Sequence, residues 1–281
     1  MSDACFRTLA REAAARYKPA GRFAYHFALG KLTADPAFVH ILAHGLIPHG
    51  SRILDLGCGQ GLLAALFETA RHRPGAWPAK FSPPPDPVAY CGIDAHARDI
   101  ERATCAVGGS AHFVYGDIRR EPLHAVDVVI LLDVLHYLDY GEQDELLRRA
   151  QGALADDGVL LLRVGDASRG MRFRYTVAID RLVMTMCRHR VDRLHCRPLA
   201  AWIAALVALD FDVTVTPMSR GTPFANVLLL ARYHRRKGNG PGPAFGVHDD
   251  ELPGPRPRAH TRGLSCERQW ARSMPLRRSR S

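Results

Sequence analysis

The stretch SRILDLGCGQG, residues 51–61, decides the fold prediction. Its first half is a short apolar run that predicts a buried strand, and its second half places Gly57, Gly59 and Gly61 in a turn. The leucine-rich segment over 60–71 that follows predicts an amphipathic helix. Glycines in such a turn let a ligand approach the backbone, and the start of the helix offers unpaired N–H groups. The sequence therefore predicts a strand, a ligand-binding turn and a helix.

The same alternation of strand and helix continues along the chain. Further strands are predicted over 88–94, 111–117, 125–133, 158–164, 211–217 and 224–233, and helices over 96–107, 141–155 and 199–209. Residues 1–50 predict a helical cap, and apolar spacing over 171–188 predicts a helix inserted within 170–197. Repeated βα units indicate an α/β fold with a doubly wound, seven-stranded, mostly parallel sheet over 51–234.

Two segments depart from this pattern. Residues 72–87, HRPGAWPAKFSPPPDP, contain six prolines and predict an insertion loop, because proline interrupts both helices and central strands. Residues 232–281 hold 12 Lys and Arg against 4 Asp and Glu, so this end carries eight of the ten net positive charges. Since Pro, Gly and Arg dominate from residue 235 onward, we expect 235–281 to be a basic, disordered tail.

Composition narrows the function classes. No apolar run approaches the ~20 residues that cross a bilayer, and the N-terminus is too charged for a secretory signal, so we expect a cytoplasmic protein. The seven cysteines form no CxxC pair, which favours reduced thiols. The segment CRHRVDRLHC, residues 187–196, matches no common zinc spacing, and no metal is predicted.

The glycine spacing distinguishes two kinds of nucleotide-binding turn. A dinucleotide-binding turn would place its third glycine at position 62, which is Leu here. With Asp55 two residues before Gly57, the segment instead resembles motif I of the class I S-adenosylmethionine (SAM) dependent methyltransferases. Asp94, Asp117 and Asp133 match further motifs of this family at the ends of successive strands, and the resemblance covers about residues 50–233.

The resemblance implies SAM as the cofactor and a set of binding residues. In the family the methionine part is framed by the motif I residues, the ribose by the acidic residue after strand two, and the adenine by those after strand three. Carried over, the cofactor contacts are Asp55, Gly57, Cys58, Gly59 and Gly61, then Asp94 with Ala95, Asp117 with Ile118, and Asp133. The resemblance also implies an antiparallel last strand, and N-terminal and inserted helices that cover the site.

Three of these carboxylates have simpler alternatives. Asp94 lies 39 residues after Asp55, against the ~20 usual between such a turn and its ribose carboxylate. The Pro-rich insertion accounts for the excess, but Asp94 as an incidental strand-end residue stays open. Asp117 as a turn-forming residue and Asp133 as a helix cap stay open as well.

The segment after strand four bears on the methyl acceptor. Asp133-Val134-Leu135-His136-Tyr137 lacks the Asp/Asn-Pro-Pro-aromatic and Pro-Cys sequences of nucleic-acid enzymes and is similar to small-molecule and quinone-type methyltransferases. We therefore expect an aromatic or polyketide-like acceptor, free or bound to a carrier. His136 is the candidate general base or substrate contact, with a packed loop histidine as the alternative.

Aromatic and basic residues complete the predicted acceptor site. Tyr25, Phe27, Tyr137 and Tyr175 are candidates to line an apolar pocket, although such side chains also occur as plain core. Arg22, Lys31, Arg163, Arg172 and Arg174 are candidates to hold an anionic acceptor or carrier phosphate, with solvated surface side chains as the simpler alternative for most of them. RFAYHFALGKL, MRFRYT and SRGTPFANVLL also look similar to methyltransferases of bacterial aryl-polyene biosynthesis.

Two other functions stay open at this point. The basic tail could serve an RNA or protein methyltransferase by attracting phosphate groups, and its removal would abolish a salt-dependent affinity for nucleic acid. The chain could also bind SAM without turnover. The sequence leaves the oligomeric state undetermined.

Overall fold

The computed structural model describes residues 2–73, 77, 81–167, 194–218 and 226–234. Several predictions lie outside these residues: the inserted helix over 171–188, the pocket residue Tyr175, the cysteine-histidine segment up to residue 193, and the tail over 235–281.

A single seven-stranded sheet forms the centre of the described chain. Its strands are β1 Arg52–Leu56, β2 Ala89–Asp94, β3 His112–Tyr115, β4 Val126–Leu132, β5 Leu154–Gly165, β6 Phe211–Pro217 and β7 Asn226–Tyr233. Their order is β3-β2-β1-β4-β5-β7-β6, with β1 to β5 parallel and β7 antiparallel to both of its neighbours. The predicted α/β fold and antiparallel last strand are confirmed.

The sheet reverses its strand order between β1 and β4. β1 pairs with β2 on one side and with β4 on the other, so chain connections run outward in both directions from this point. Ligands of open α/β sheets bind in the crevice at the carboxyl ends of such strands. The residues that follow β1, β2 and β4 therefore border the candidate site.

Seven helices are described around the sheet. They are α1 Ser2–Ala15, α2 Arg22–Ala34, α3 Pro36–Ala43, α4 Leu62–Arg71, α5 Ala97–Val107, α6 Tyr140–Ala153 and α7 Leu199–Ala208. α4 begins at residue 62 rather than the predicted 60, because its N-cap Gly61 has φ 68° and is not helical. α6 begins with a capping box between Asp139 and Glu142.

The N-terminal helices share one hydrophobic core with the sheet. Phe6 and Leu32, from α1 and α2, belong to the same buried cluster as Ile53, Leu66 and Val128. Burial of apolar side chains contributes ~25 cal/mol per Å², so this shared core fixes α1 and α2 against the sheet. Within the described ranges, none of the helices combines the length and apolar character that a membrane crossing requires.

The described end of the Pro-rich insertion runs past the amino ends of β1 and β2. The Ser82 N–H donates to the Ala43 carbonyl at 3.3 Å, and the Gly50 N–H donates to the Asp86 carbonyl at 3.1 Å. Residues 81–87 thus lie at the amino ends of β1 and β2, whereas the candidate site lies at the carboxyl ends of these strands. The insertion lengthens the spacing from Asp55 to Asp94, and its described residues 81–87 lie away from the crevice.

Candidate active site

The glycine turn after β1 is closed against the protein at one point and open at another. A Cβ on Gly57, where φ is 75°, would lie 2.3 Å from Cγ2 of Val134, so no larger residue fits. A Cβ on Gly59, where φ is 53°, would meet no atom within 4 Å. The backbone at Gly59 therefore faces open space, which fits the close approach of a bound cofactor.

Asp94 ends β2 beside this turn. Its Oδ2 accepts the Gly59 N–H at 2.9 Å, and its Oδ1 accepts the His96 N–H at 2.9 Å. The His96 imidazole also lies 2.9 Å from Oδ1, and this hydrogen bond raises the pKa of His96. A carboxylate oxygen can accept two hydrogen bonds, so Oδ2 keeps capacity for a hydroxyl donor. The adjacent Ala95 is exposed.

Asp55 is buried under the turn. The Tyr90 hydroxyl donates to its Oδ2, and burial raises the pKa of Asp55 to about 7. Burial also raises the pKa of the Cys58 thiol well above its ordinary value, so this thiol is held protonated and unreactive. Tyr17 fixes the turn from the N-terminal side, since its hydroxyl donates to the Gln60 carbonyl at 2.7 Å.

Asp117 follows β3 and is paired with a neighbour. Arg119 donates from Nε at 2.9 Å to Oδ1 and from Nη2 at 2.7 Å to Oδ2, and the Arg119 N–H donates to Oδ1 at 3.0 Å. These bonds lower the pKa of Asp117. Asp117 therefore stabilises a local turn through Arg119, which agrees with the alternative that Asp117 is a turn-forming residue. Ile118 is buried beside it. A contact of either residue with adenine stays a prediction.

Asp133 follows β4 and joins a buried ion-pair network. Arg163, 2% exposed, donates from Nε to Asp133 Oδ1 at 2.6 Å and from Nη2 to Oδ2. Its Nη1 donates to both oxygens of Asp35, at 2.5 and 2.6 Å. Lys31 lies 3.1 Å from Asp35 and 3.3 Å from Asp133. The two cations lower the pKa of Asp133 although its burial alone would raise it.

This network answers two open questions from the sequence. The carboxylate of Asp133 bonds Arg163 and Lys31, so the helix-cap alternative for Asp133 is wrong. Arg163 is committed to two carboxylates and is therefore not free to bind an anionic acceptor. The cofactor contact predicted for Asp133 stays a prediction.

His136 lies three residues beyond Asp133, in a short 3-10 helix Leu135–Tyr137. Its side chain is 9% exposed, and its Nε2 finds no hydrogen-bond partner in the described part of the chain. Burial lowers the pKa of His136 to about 4, while the charge of Asp133 opposes this shift. The imidazole is therefore neutral near pH 7, and one of its ring nitrogens has no partner among the described residues.

The predicted pocket residues occupy different surroundings. The Tyr137 ring lies 4.1 Å from the His136 ring, so Tyr137 borders the candidate base. Tyr25 and Phe27 of α2 are half-buried and pack against the main core, as the plain-core alternative expects. Phe27 also stacks on Phe23 at a ring separation of 6.1 Å. Their contact with an acceptor stays a prediction.

Three residues important for the site's geometry went unrecognised in the sequence. Asp35 before Pro36 carries an N-cap signal, and its carboxylate does accept the Ala37 N–H at 3.0 Å, but its pairing with Arg163 has no local signal. Tyr90 looks like any strand aromatic. Gln143 lies in α6, and nothing in the sequence marks it.

No group of three or more His, Cys, Asp or Glu side chains within the described ranges could hold a metal ion. The carboxylates around the site are instead bonded to backbone N–H groups, to the Tyr90 hydroxyl and the His96 imidazole, or to Arg and Lys. Those pairings suit a small organic ligand bound at the carboxyl ends of β1, β2 and β4.

Fold and site together define a class: a doubly wound sheet of this strand order with a GxGxG turn after β1 and acidic residues at the carboxyl ends of β1 and β2. A family model described as a methyltransferase domain matches residues 11–214. The chain belongs to this family. The predicted class, the SAM-dependent methyltransferases of class I, and the predicted cofactor, S-adenosylmethionine, are confirmed at the level of the family.

Individual known methyltransferases also resemble this chain in sequence or in fold. Acetylserotonin O-methyltransferase of Mus musculus is 36% identical over 110 residues, which are 39% of this chain and 27% of that protein. The chain thus matches about a quarter of that relative's length. An O-methyltransferase family protein from Burkholderia thailandensis shares the fold with a TM-score of 0.53 at 20% identity, covering 76% of this chain and 60% of that one.

A third likeness involves a ligand-bound structure. The magnesium protoporphyrin IX methyltransferase of Synechocystis, solved with bound SAH, has a TM-score of 0.52 at 18% identity. The match covers 78% of this chain and 93% of that one. These two structural likenesses establish the shared fold.

Proposed function

We propose that this chain transfers a methyl group from SAM to an oxygen of a small aromatic acceptor, with His136 as general base. The observation that carries the proposal is the buried Nε2 of His136, which has no partner in the described chain and follows β4 at the switch point. An unpaired buried acceptor costs ~1–3 kcal/mol, so its retention is best explained by a donor that arrives with the substrate.

With its lowered pKa, His136 is a weak base toward a free phenol, but the hydroxyl becomes strongly acidic as its oxygen gains the methyl group, so we expect proton transfer to accompany methyl transfer. The same lowered pKa keeps the imidazole unprotonated at neutral pH, so Nε2 can accept the acceptor's hydroxyl hydrogen without first losing a proton. The nearby charge of Asp133 would stabilise the imidazolium that forms. Lys31 and Arg163 partly offset that charge and so favour release of the proton from the imidazolium to solvent.

The chain's residues would hold the cofactor at the ends of β1 and β2. Bound SAM supplies an electrophilic methyl group on a sulfonium, so the protein must mainly align the acceptor oxygen with it. Asp94 offers acceptor capacity for ribose hydroxyls, Gly59 leaves room beside the backbone, and Asp55 would lie beneath the methionine part. Gly57, Cys58 and Gly61 shape the turn after β1, and Ala95 follows Asp94 at the end of β2.

The acceptor assignment rests on residues and on relatives. Tyr137 places an aromatic ring against His136, where it can pack on a planar acceptor. The name of the mouse relative describes methylation at oxygen, and 36% identity over 110 residues extends that chemistry to this chain as a proposal. Delivery by a carrier has less support, since Arg163 and Lys31 are engaged in ion pairs.

A matched pair of glycine variants tests the cofactor position. Gly59 and Gly108 both have positive φ, 53° and 71°, and a Cβ on either would meet no atom within 4 Å. Neither substitution meets a clash, and Gly108, whose ψ of −148° lies close to a region that only glycine occupies readily, carries at least as much backbone strain as Gly59. In calorimetric titrations with SAM, we expect Gly59→Ala to lose binding and Gly108→Ala to retain it. Equal binding by both variants would overturn the placement.

The acceptor is tested with labelled SAM and a panel of phenols, catechols and hydroxylated polyketide mimics, with bulk RNA as a separate arm. We expect a phenol to be methylated and His136→Ala to reduce its turnover by about 10²-fold or more. Transfer to RNA that is lost on deletion of residues 235–281 would favour the nucleic-acid alternative. SAM binding without transfer to any arm would favour a non-catalytic protein.

A further inference from the structure

Gln143 of α6 makes an unusual set of contacts beside the candidate base. Its side chain is fully buried, and the two N–H groups of its Nε2 lie within hydrogen-bond distance of three carbonyls, so one N–H is shared: Leu135 at 3.0 Å, Leu138 at 3.0 Å and His195 at 2.8 Å. The first two carbonyls bracket the 3-10 helix that contains His136. The third belongs to residues 194–198, the return segment that precedes α7.

The return segment is bound to the same turn a second time. The His195 N–H donates to the His136 carbonyl at 2.8 Å, so both backbone groups of His195 are used here. Arg197 then pairs with Asp144 at 2.7 Å, and its Nη2 donates to the Tyr140 carbonyl at 2.7 Å. The turn, the start of α6 and the return segment therefore form one hydrogen-bonded unit.

The amide of Gln143 is the central group of this unit. Without it, the carbonyls of Leu138 and His195 would lose a buried donor, which is costly, whereas the Leu135 carbonyl also accepts the Leu138 N–H at 3.0 Å. Its own Oε1 finds no partner among the described residues, so the side chain is retained for its donor group rather than for full hydrogen bonding. Backbone capping within α6 does not require it, because Asp139 and Glu142 form the capping box.

We propose that Gln143 is a positioning residue that fixes the imidazole of His136 through the three carbonyls it binds. This inference rests on the proposed role of His136 as general base. Gln143 contacts the backbone of the turn and no reacting atom. Its effect on the reaction is the orientation of the base, and an error of about 1 Å in such a position can cost roughly 10²-fold in rate.

The experiment compares two glutamines of the same helix. Gln143→Met keeps the length of the side chain and removes the donor. The control is Gln151→Met, because Gln151 Nε2 donates to a single carbonyl, that of Leu209 at 3.1 Å, near the other end of α6. Amide hydrogen exchange at His195 and the histidine NMR titration of His136 are measured in the full-length chain, without acceptor.

Removal of the Gln143 donor is expected to loosen the 3-10 helix that contains His136, and both measurements should detect this change. In Gln143→Met, exchange at the His195 amide should accelerate at least tenfold, and the pKa of His136 should rise toward its ordinary value as water enters. Asp133, Lys31 and Arg163 are the charged groups whose effects reach His136, and they are unchanged in both variants. Gln151→Met should leave both readouts as in the parent. Parent-like values in Gln143→Met would overturn the inference.

A kinetic arm separates this inference from the proposed function. With the phenol that the panel identifies, Gln143→Met should lower kcat about 10- to 100-fold with unchanged SAM affinity. In a His136→Ala background it should have no further effect, whereas a general loss of structure would still reduce activity. If His136→Ala alone is fully active, the general-base proposal fails. If it is impaired but Gln143→Met is not, the positioning role fails.

Discussion

At the ends of β1 and β2, the site's acidic side chains bond partners on the same two strands and the turns that follow them. Asp94 binds the N–H groups of Gly59 and His96, and Asp55 binds the Tyr90 hydroxyl. At the ends of β4 and β5, by contrast, Arg163 reaches Asp35, which lies 128 residues earlier in the chain. The first half of the site is built by strand-and-turn geometry, and the second by long-range side-chain pairs.

Because the two halves of the site are built differently, we expect substitutions in them to have different effects. In the β1–β2 half, the donors to Asp94 are backbone N–H groups, which most substitutions leave in place. This half therefore depends on few side chains, namely its carboxylates and the glycines of the turn. The β4–β5 half depends on matched charges that must all be present, since a buried charge without its partner is strongly unfavourable. Substitutions in the second half should therefore cost folding stability, and those in the first should cost cofactor affinity.

The largest effect is expected for Arg163→Met. Removal of the guanidinium leaves Asp35 and Asp133 close together without their main counter-charge, and the free energy of unfolding should fall by about 3 kcal/mol. Urea denaturation measures this loss. The control is Arg148→Met, because Arg148 pairs with Glu145 on the exposed face of α6 and its loss should leave stability unchanged. Equal stability of the two variants would contradict the contrast.

Asp94→Ala should affect the cofactor rather than the fold. Loss of a charged hydrogen-bond acceptor should weaken SAM binding by about 2 kcal/mol, roughly 30-fold, in calorimetry. Asp99→Ala is the control, since Asp99 lies in the first turn of α5 and pairs with Arg102. The assignment of Asp94 to the ribose would not survive identical SAM affinities in the two variants.

The buried imidazole predicts a pH dependence of stability. Because the pKa of His136 is about 4 in the folded chain and ~6.5 when unfolded, the unfolded chain binds more protons between these values. Its contribution is complete above pH 6.5 and is lost as the pH falls toward 4, by about 2 kcal/mol at pH 5. Denaturation at pH 7 and pH 5 should show this loss in the parent and a smaller one in His136→Gln. An equal loss in both proteins would show that His136 titrates normally.

Asp55 predicts the smallest effect. Its pKa of about 7 leaves it partly protonated at neutral pH, and a bound cationic cofactor would favour the ionised form. SAM affinity should therefore rise up to about tenfold between pH 6 and pH 8, with proton release on binding. Calorimetry in two buffers of different ionisation enthalpy measures the released proton. Asp55→Asn should remove the Asp55 share of it, and an unchanged proton count would show that Asp55 is already ionised.

The contrast between the two halves of the site also explains which features of the fold and site the sequence predicts. Strand and helix positions followed from apolar periodicity, and the GxGxG turn with its following acidic residues indicated the cofactor half, because those features are local in sequence. His136 was found because it follows a strand end within a recognisable motif. Arg163 was read as a candidate for anion binding, since sequence spacing does not show that two carboxylates pack against it.

The sequence by itself determined the doubly wound sheet, its seven strands and the place of the glycine turn, since periodicity and turn chemistry act over a few residues. Only the tertiary structure decided that Asp35, Arg163, Asp133 and Lys31 form one network and that Gln143 holds the turn of His136. The physical reason is distance along the chain: side-chain pairing depends on where the packed core places each helix, and that placement is a property of all its contacts together.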